Sequence, residues 1–360
     1  MKSVHVVNMA ENSRTRRAQR HVVLFNKLRS LGFTSWYYTS RFDHASKRSL
    51  SPSSEDFEVD IWIPGYRSHT GIMRMISNCI FAVQLYFCLS KRVSSGDLVI
   101  VSSIPTELPF VATLLKVFRK DIEVAIDVRD IWPDSFPGQG VKKSVFSFYC
   151  NVLNKLSFRK SDYIVYVNRD FKKFLNSLGV QENKSKYIPL GADLSRWSKS
   201  SSNEVSKVSS RFVYVGNFNK QFDLTALGES FLKDNEHELV FIGDGELAEK
   251  YHGIVPNANF MGYLKPEEVV AELKECKVGL LPITGKATLP NKIYDYILSG
   301  LDILTNSEEV ARALSLVPVE RLEGTSCYYI RNIVCDRSFI VDYEQVSEDI
   351  IEYLNVRKVN

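Results

Sequence analysis

Short apolar runs alternate with longer amphipathic stretches from the start of the chain. Residues 4–7 (VHVV) and 36–39 read as strands, with a helical pattern over 18–31 between them. A long helix is predicted over 71–92, then a strand over 97–102 (DLVIVS), a helix over 108–118 and a strand over 124–128. A helix over 145–158 and a strand over 163–167 complete this first series. Strands separated by helical crossovers form a parallel sheet with helices on both faces. The pattern lapses over 193–210 (DLSRWSKSSSNEVSKVSS), which is rich in Ser and Lys and lacks apolar periodicity, the composition of a linker. A second series follows, with strands at 211–215, 238–242, 259–261, 278–282 and 303–305, and helices at 224–231, 246–251, 266–275 and 292–299. Pro266 stands at a helix start, where its missing N–H is not needed, and Gly300 ends the last helix.

The expected fold is therefore α/β, with two doubly wound Rossmann-like domains facing across a cleft. Residues 1–190 form the first domain, 191–210 the linker, 211–340 the second domain, and 341–360 a C-terminal helix. Ligands of such sheets bind at the carboxyl ends of the strands.

A length of 360 residues suits two domains, and 44% hydrophobic with 24% charged residues excludes a disordered or collagen-like chain. The net charge of +4 conceals a division. Residues 1–190 hold 28 Lys and Arg against 16 Asp and Glu (+12), leaving 18 against 26 (−8) for the remainder. A basic first half suits either an anionic surface or ordinary solvated helix faces. Six cysteines, at 79, 88, 150, 276, 327 and 335, form no C-x-x-C pair and join no His cluster, so reduced thiols of a cytoplasmic protein are expected. The N-terminus is apolar only briefly, unlike a signal peptide. The longest apolar stretch, 75–89, contains Asn78 and Gln84 and falls short of the ~20 residues that span a bilayer.

Candidate chemistry gathers in the second half. The strand at 211–215 runs into Gly216-Asn217-Phe218-Asn219-Lys220, and the strand at 238–242 into Gly243-Asp244-Gly245. Glycine after a strand lets backbone approach a phosphate, though either segment also makes an ordinary turn. In Leu289-Pro290-Asn291-Lys292-Ile293-Tyr294-Asp295, Lys292 occupies the first helical turn, where a cation is unfavourable against the helix dipole. A cation kept there suggests an anion to be met, with Asp295 three residues on, along the same face. A surface Lys–Asp pair is the plainer reading.

Together, YVGNFNK, FIGDGE, FMGYL, VGLLPI and LPNKIYDYILSG resemble the nucleotide-binding domain of the large retaining glycosyltransferase family four. The likeness is strongest to the bacterial branch that builds O-antigens and capsules, including deoxy-amino-sugar transferases. In the first half, TSRFDHASK, SSIPTELPF, AIDVRDIWPDS and IPLGAD resemble that branch's loop segments, so the likeness covers nearly the whole chain. It implies the GT-B fold, with an acceptor-binding first domain and a nucleotide-sugar-binding second one. It implies a nucleoside-diphosphate sugar donor (a UDP-sugar above all), retention of configuration, and no metal or other cofactor. It implies a glycan or polyprenyl-diphosphate-linked acceptor in cell-surface polysaccharide biosynthesis, and no nucleic-acid partner.

Carried over by motif, Gly216 and Lys220 face the donor diphosphate, Tyr263 lies by the base, Lys292 neutralises phosphate and Asp295 binds ribose, with Asn217, Gly243 and Pro290 also on the donor side. Much of the family has two glutamates eight positions apart. Here Ala287 and Asp295 stand in those places, so the identity of the sugar does not carry over. The glycine pair common after the first strand is also missing, and Asn12, Arg14, Arg16 and Arg17 are the candidates to take its role. Departure of a nucleoside diphosphate builds negative charge, which preorganised cations stabilise, and Lys220 and Lys292 are assigned that work. Arg129, Asp130 and His44 are assigned to the acceptor side, with Asp130 orienting the hydroxyl.

Two basic-flanked amphipathic stretches, 67–92 and 141–160, are candidates for resting on anionic headgroups at the inner face of the plasma membrane. Packed helices are the alternative. A GT-B sugar-nucleotide epimerase and a non-catalytic sugar-nucleotide-binding subunit of a polysaccharide assembly complex are the rival functions.

Overall fold

The computed structural model describes residues 2–15, 20–44, 46–67, 71–133, 140–194, 197, 211–233, 236–284, 290–323 and 325–356. Arg16, Arg17, Ala287 and most of the Ser/Lys-rich linker lie outside the described residues. The chain divides into two compact units, Met1–Ala192 with Val341–Asn360, and Asp193–Ile340.

In the first unit, strands β1 (Val4–Val7), β2 (Ser35–Ser40), β5 (Glu58–Ile61), β6 (Leu98–Ser102), β7 (Glu123–Val128), β8 (Tyr163–Tyr166) and β9 (Ser185–Tyr187) form one sheet in the order β5-β2-β1-β6-β7-β8-β9. Every pairing in it is parallel. The strands β3 (Phe42–Asp43) and β4 (Arg48–Ser49) make a separate small hairpin. β1 and β6 are buried on both faces, which is why they read as unbroken apolar runs. Their residues alternate between two cores. Val99 and Val101 pack with Phe81, Leu85, Leu108 and Leu115 of helices α2 (Ile72–Arg92) and α3 (Glu107–Phe118). Leu98 and Ile100 face the other way, toward Leu24 and Leu28 of α1 (Arg20–Ser30). α4 (Gly140–Lys160) lies beside α3, and α5 (Phe171–Ser177) adds to the first core.

In the second unit, β10 (Arg211–Val215), β11 (Glu238–Ile242), β12 (Asn259–Gly262), β13 (Val278–Leu281), β14 (Asp302–Thr305) and β15 (Tyr328–Ile330) take the order β12-β11-β10-β13-β14-β15. Only the β14–β15 pairing is antiparallel. The single helix expected at 224–231 is instead a 3₁₀ turn, Leu224–Leu227, and a short helix α6 (Glu229–Lys233). Gly228 between them sits at φ +103°, and Asp223 caps the turn through Thr225 N–H. Helices α7 (Ala248–Ile254), α8 (Pro266–Glu275), α9 (Lys292–Leu298) and α10 (Glu308–Leu314) cover the sheet.

The C-terminal helix α11 (Tyr343–Tyr353) belongs to the first unit. Its Val346 and Ile350 join the core of α1, and Lys27 pairs with Glu344 and Glu348 at 3.3 and 2.7 Å.

Candidate functional site

Parallel register sets Val215 beside Ile242, so β10 and β11 end together and release Gly216 and Gly243 at one edge. Gly216 N–H donates to Ile242 O at 2.9 Å, and Gly243 N–H to Gly262 O at 2.7 Å. The loops then run against each other. A Cβ on Gly243 would lie 2.0 Å from Gly216 O, and one on Gly245 would lie 2.5 Å from both Asn217 Oδ1 and Phe218 O. Gly216, Gly243 and Gly245 also hold φ of +134°, +129° and +158°, values side-chain-bearing residues avoid. Backbone conformation demands glycine at both loop starts, and fixed backbone contacts demand it at Gly243 as well.

Lys292 opens α9 and is buried. Its Nζ has no hydrogen-bond partner among the described residues. It sits 3.7 Å from the Tyr214 ring centroid and 4.5 Å from that of Phe222. A Cβ on Gly216 would be 3.2 Å from this amine. Burial pushes the Lys292 pKa well below the usual lysine range, with Asp295 acting in the opposite sense. Tyr296 fixes the helix that carries the lysine. Its hydroxyl accepts from Val215 N–H at 3.1 Å and donates to Leu280 O at 3.1 Å. Its ring fills the space a side chain at Gly279 would need.

The structure thus brings Gly216, Gly243 and Lys292 together. Lys220 stands apart from them in character: it is exposed, with no hydrogen bond or ion pair among the described residues. It begins a 3₁₀ turn, Lys220–Phe222, that Asn219 caps and that delivers Phe222 to Lys292. Asn217 is exposed, with its carbonyl accepting from Tyr214 OH at 2.9 Å. Tyr263 is 77% exposed beside Gly262. Pro290 O accepts from Ile293 N–H at 3.1 Å, and Asp295 is half-buried. Tyr214, Phe222 and Tyr296 were not singled out from sequence. Nothing in a lone aromatic of a strand or helix marks it as lysine packing.

In the first unit, Arg129 and Asp130 follow β7, but Arg129 is drawn inward. Its guanidinium pairs with buried Glu11, whose other oxygen accepts from His21 N–H at 2.8 Å. Burial alone would lower the Arg129 pKa, but Glu11 and Asp127 raise it above the usual value. Arg20 grips Asp127 with two contacts of 3.0 and 3.2 Å. His21 Nε2 lies 3.0 Å from Asp127, near enough for ion pairing but outside hydrogen-bond geometry. Asn8 Nδ2 donates to His21 Nδ1 at 2.7 Å. Asp130 is half-buried and accepts from the N–H of Ile131 at 2.9 Å.

His44 lies in the turn between β3 and β4. Assigned to the acceptor side, it is buried, bonded to Tyr66 OH and to Met9 O (3.0 Å), with its ring edge on Phe42. It holds the β3–β4 hairpin against the sheet-end loops. Glu107 was missed: it is buried, accepts from Tyr149 OH at 3.0 Å, and burial raises its pKa. Among the described residues, no group of three or more His, Cys, Asp and Glu is placed to hold a metal ion.

No protein-family profile and no curated protein sequence matches the chain. Solved structures do match, over both units. WaaG, a glycosyltransferase involved in lipopolysaccharide biosynthesis, superposes with a TM-score of 0.60 at 14% identity, over 98% of this chain and 90% of its own. Anabaena HepE in complex with UDP-glucose gives 0.57 at 10%, covering 84% and 79%. Sucrose-phosphate synthase from Thermosynechococcus elongatus gives 0.63 at 10%, covering 84% and 80%. The chain has the GT-B fold. In this GT-B protein, the paired glycine loops and Lys292 lie at the carboxyl edge of the second unit's sheet, the ligand edge of doubly wound folds. At 10–14% identity the likeness concerns the chain's course and not the side chains.

Proposed function

We propose that this protein is a retaining glycosyltransferase of family-four type. It moves a sugar from a nucleoside-diphosphate sugar, a UDP-sugar foremost, to a lipid-linked or polysaccharide acceptor in cell-surface polysaccharide biosynthesis. The observation that carries the reading is the pair of glycine loops packed backbone to backbone beside the Lys292 amine. Loops without side chains let a diphosphate approach the backbone, and the amine supplies charge as the leaving group departs. Tyr263, exposed beside Gly262, is free to lie against a base, and Asp295 is one helical turn from Lys292. HepE was solved with UDP-glucose, a donor of this class. No metal is required for this chemistry, because the cation is a side chain and the leaving phosphate can take the acceptor's proton.

Two helices of the first unit support the reading of a membrane-associated acceptor. α4 exposes Val141, Val145, Phe148, Val152 and Leu156 along one stripe, and α2 exposes Ile72, Met73, Ile76, Val83 and Phe87. Neither helix contains an Asp or Glu, while Lys91, Arg92, Lys155, Arg159 and Lys160 lie toward their ends. α2 is long and apolar enough to cross a membrane by length and composition alone. Its inner face packs through Phe81, Leu85 and Leu89 against the sheet, the arrangement of a surface helix. An apolar stripe with basic flanks suits the interface of an anionic bilayer.

Thermal shift with UDP, GDP and dTDP tests the donor. A nucleotide at a hundred times its Kd should stabilise by about 2.7 kcal/mol. Transfer from the stabilising nucleotide's sugar should fall roughly 10²–10³-fold in Lys292→Ala. Stabilisation without transfer or hydrolysis would leave only a nucleotide-binding subunit, and no stabilisation by any of the three would end the reading.

A further inference from the structure

The amino edge of the second unit's sheet carries an opening separate from the glycine loops. Lys277 immediately precedes β13 and Asp302 begins β14, so both lie at the strand ends opposite to those that release Gly216 and Gly243. With Tyr329, Arg331, Asn332 and Arg337 they line a cavity of about 660 Å³. Small-molecule sites are commonly of this size, about 300–1,000 Å³. Strands of four or five residues separate it from the loops, a distance of roughly 15 Å at ~3.3 Å per residue.

The charges in this cavity do not balance. Asp302 is fully engaged: Asn332 N–H donates to one oxygen at 2.8 Å, and Tyr329 OH and Lys277 Nζ reach the other at 2.6 and 3.2 Å. Burial opposes its ionisation, but these partners hold its pKa below the usual carboxylate range. Lys277 and Asp302 therefore cancel. Arg331 and Arg337 remain, exposed, with no carboxylate partner among the described residues. Arg337 is not loose. Its Nη2 donates to Asn332 Oδ1 at 2.6 Å, and Asn332 Nδ2 in turn donates to Ile297 O and Leu301 O at 3.1 and 3.0 Å. The same asparagine thus positions an arginine and occupies one carbonyl near the end of α9 and one in the turn that follows it, removing acceptors that would repel an anion.

We propose that this cavity is a second anion site, binding a phosphate ester or diphosphate independently of the donor loops. Two guanidiniums offer forked donors suited to phosphate oxygens, in a cavity carrying a net +2. Ile333, 87% exposed at the rim, offers an apolar surface to the body of the ester.

Pyrophosphate titration by calorimetry, on the full chain with UDP already saturating, tests the site. The double variant Arg331→Ala/Arg337→Ala should bind pyrophosphate at least tenfold more weakly, with its ligand-free melting temperature and UDP-induced shift unchanged. Arg331→Lys/Arg337→Lys should retain part of the affinity, as a charge without a fork. Equal binding by the parent and the alanine variant, or no pyrophosphate binding by the parent, would overturn the proposal. Flotation with phosphatidylglycerol vesicles separates a lipid headgroup from a soluble phosphate. The alanine variant should float as the parent does, and loss of flotation with unchanged pyrophosphate binding would refute a soluble ligand.

Discussion

Lys292 places a buried amine where no described residue accepts a hydrogen bond from it, and two effects compete over its proton. The faces of Tyr214 and Phe222 favour the cation by about 0.5–2 kcal/mol, while an unsatisfied buried donor costs about 1–3 kcal/mol and a buried charge more. Burial prevails, and the folded pKa falls well below 10.5. Between that depressed value and 10.5 the unfolded chain binds one more proton than the folded one, so stability rises with pH across that window. Lys292→Met should therefore be more stable than the parent near neutrality, by about 1–3 kcal/mol in urea unfolding. Its advantage should shrink as pH climbs toward 10.5. An advantage that did not change with pH would mean the folded amine is charged. A bound diphosphate reverses the balance, so donor binding should take up a proton. The binding enthalpy would then depend on buffer ionisation in the parent and not in Lys292→Met. The neighbouring glycines separate fold from function. At Gly243 an added Cβ meets fixed backbone at 2.0 Å, and Gly243→Ala should cost about 1–3 kcal/mol from strain alone. At Gly216 it meets the movable tip of Lys292, so Gly216→Ala should carry the backbone strain of its φ of +134°, about 1–3 kcal/mol, and in addition displace the amine and lose donor affinity, read by urea midpoint and UDP thermal shift.

Elements report local periodicity well and distant partners badly. The strands that release the glycine loops were legible because a buried parallel strand is a continuous apolar run bounded by glycine or polar turns. The lysine at 292 was legible because it opposes the helix dipole. Tyr296, which anchors that helix, was not, since its partners Val215 and Leu280 belong to other strands. The helix expected at 224–231 failed at Gly228, whose positive φ no periodicity reveals. The burial of His44 was hidden because Tyr66 and Met9, which enclose it, are 22 and 35 positions away. The buried charges at the ends of β1 and β7 were equally hidden. There, burial raises the Asp127 pKa, but Arg20 and His21 outweigh it and hold the carboxyl well below 3.8. Its stabilising contribution is therefore present above pH 3.8 and lost as pH falls through the depressed value. Asp127→Asn strands a buried guanidinium and should cost about 3–5 kcal/mol in chemical denaturation, while Arg20→Met/Asp127→Leu should recover most of that. A single variant as stable as the parent would show that Arg20 finds its counter-charge elsewhere.

At the scale of the molecule, the fold survives at 10–14% identity over 84–98% of the chain because layered packing needs apolar alternation and not particular residues. α2 and α4, both packed beside α3, carry eight Lys and Arg and no Asp or Glu along with their bare apolar stripes. Apolar burial and electrostatics would act together on an anionic bilayer. Each fully buried Phe or Val side chain adds roughly 1.5–3 kcal/mol, and each basic residue near the surface about 1 kcal/mol. Val145 and Phe148 are 65% and 73% exposed, so Val145→Glu/Phe148→Glu should leave the melting temperature within about a degree or two of the parent. The same variant forfeits two anchors and adds like charge, and should bind phosphatidylglycerol vesicles at least a hundredfold more weakly. Parent binding should weaken from low to high salt by screening of the basic flanks. If the parent bound phosphatidylcholine vesicles equally well, the charge contribution would be absent. If the glutamate variant bound phosphatidylglycerol undiminished, these stripes would not be what meets the lipid.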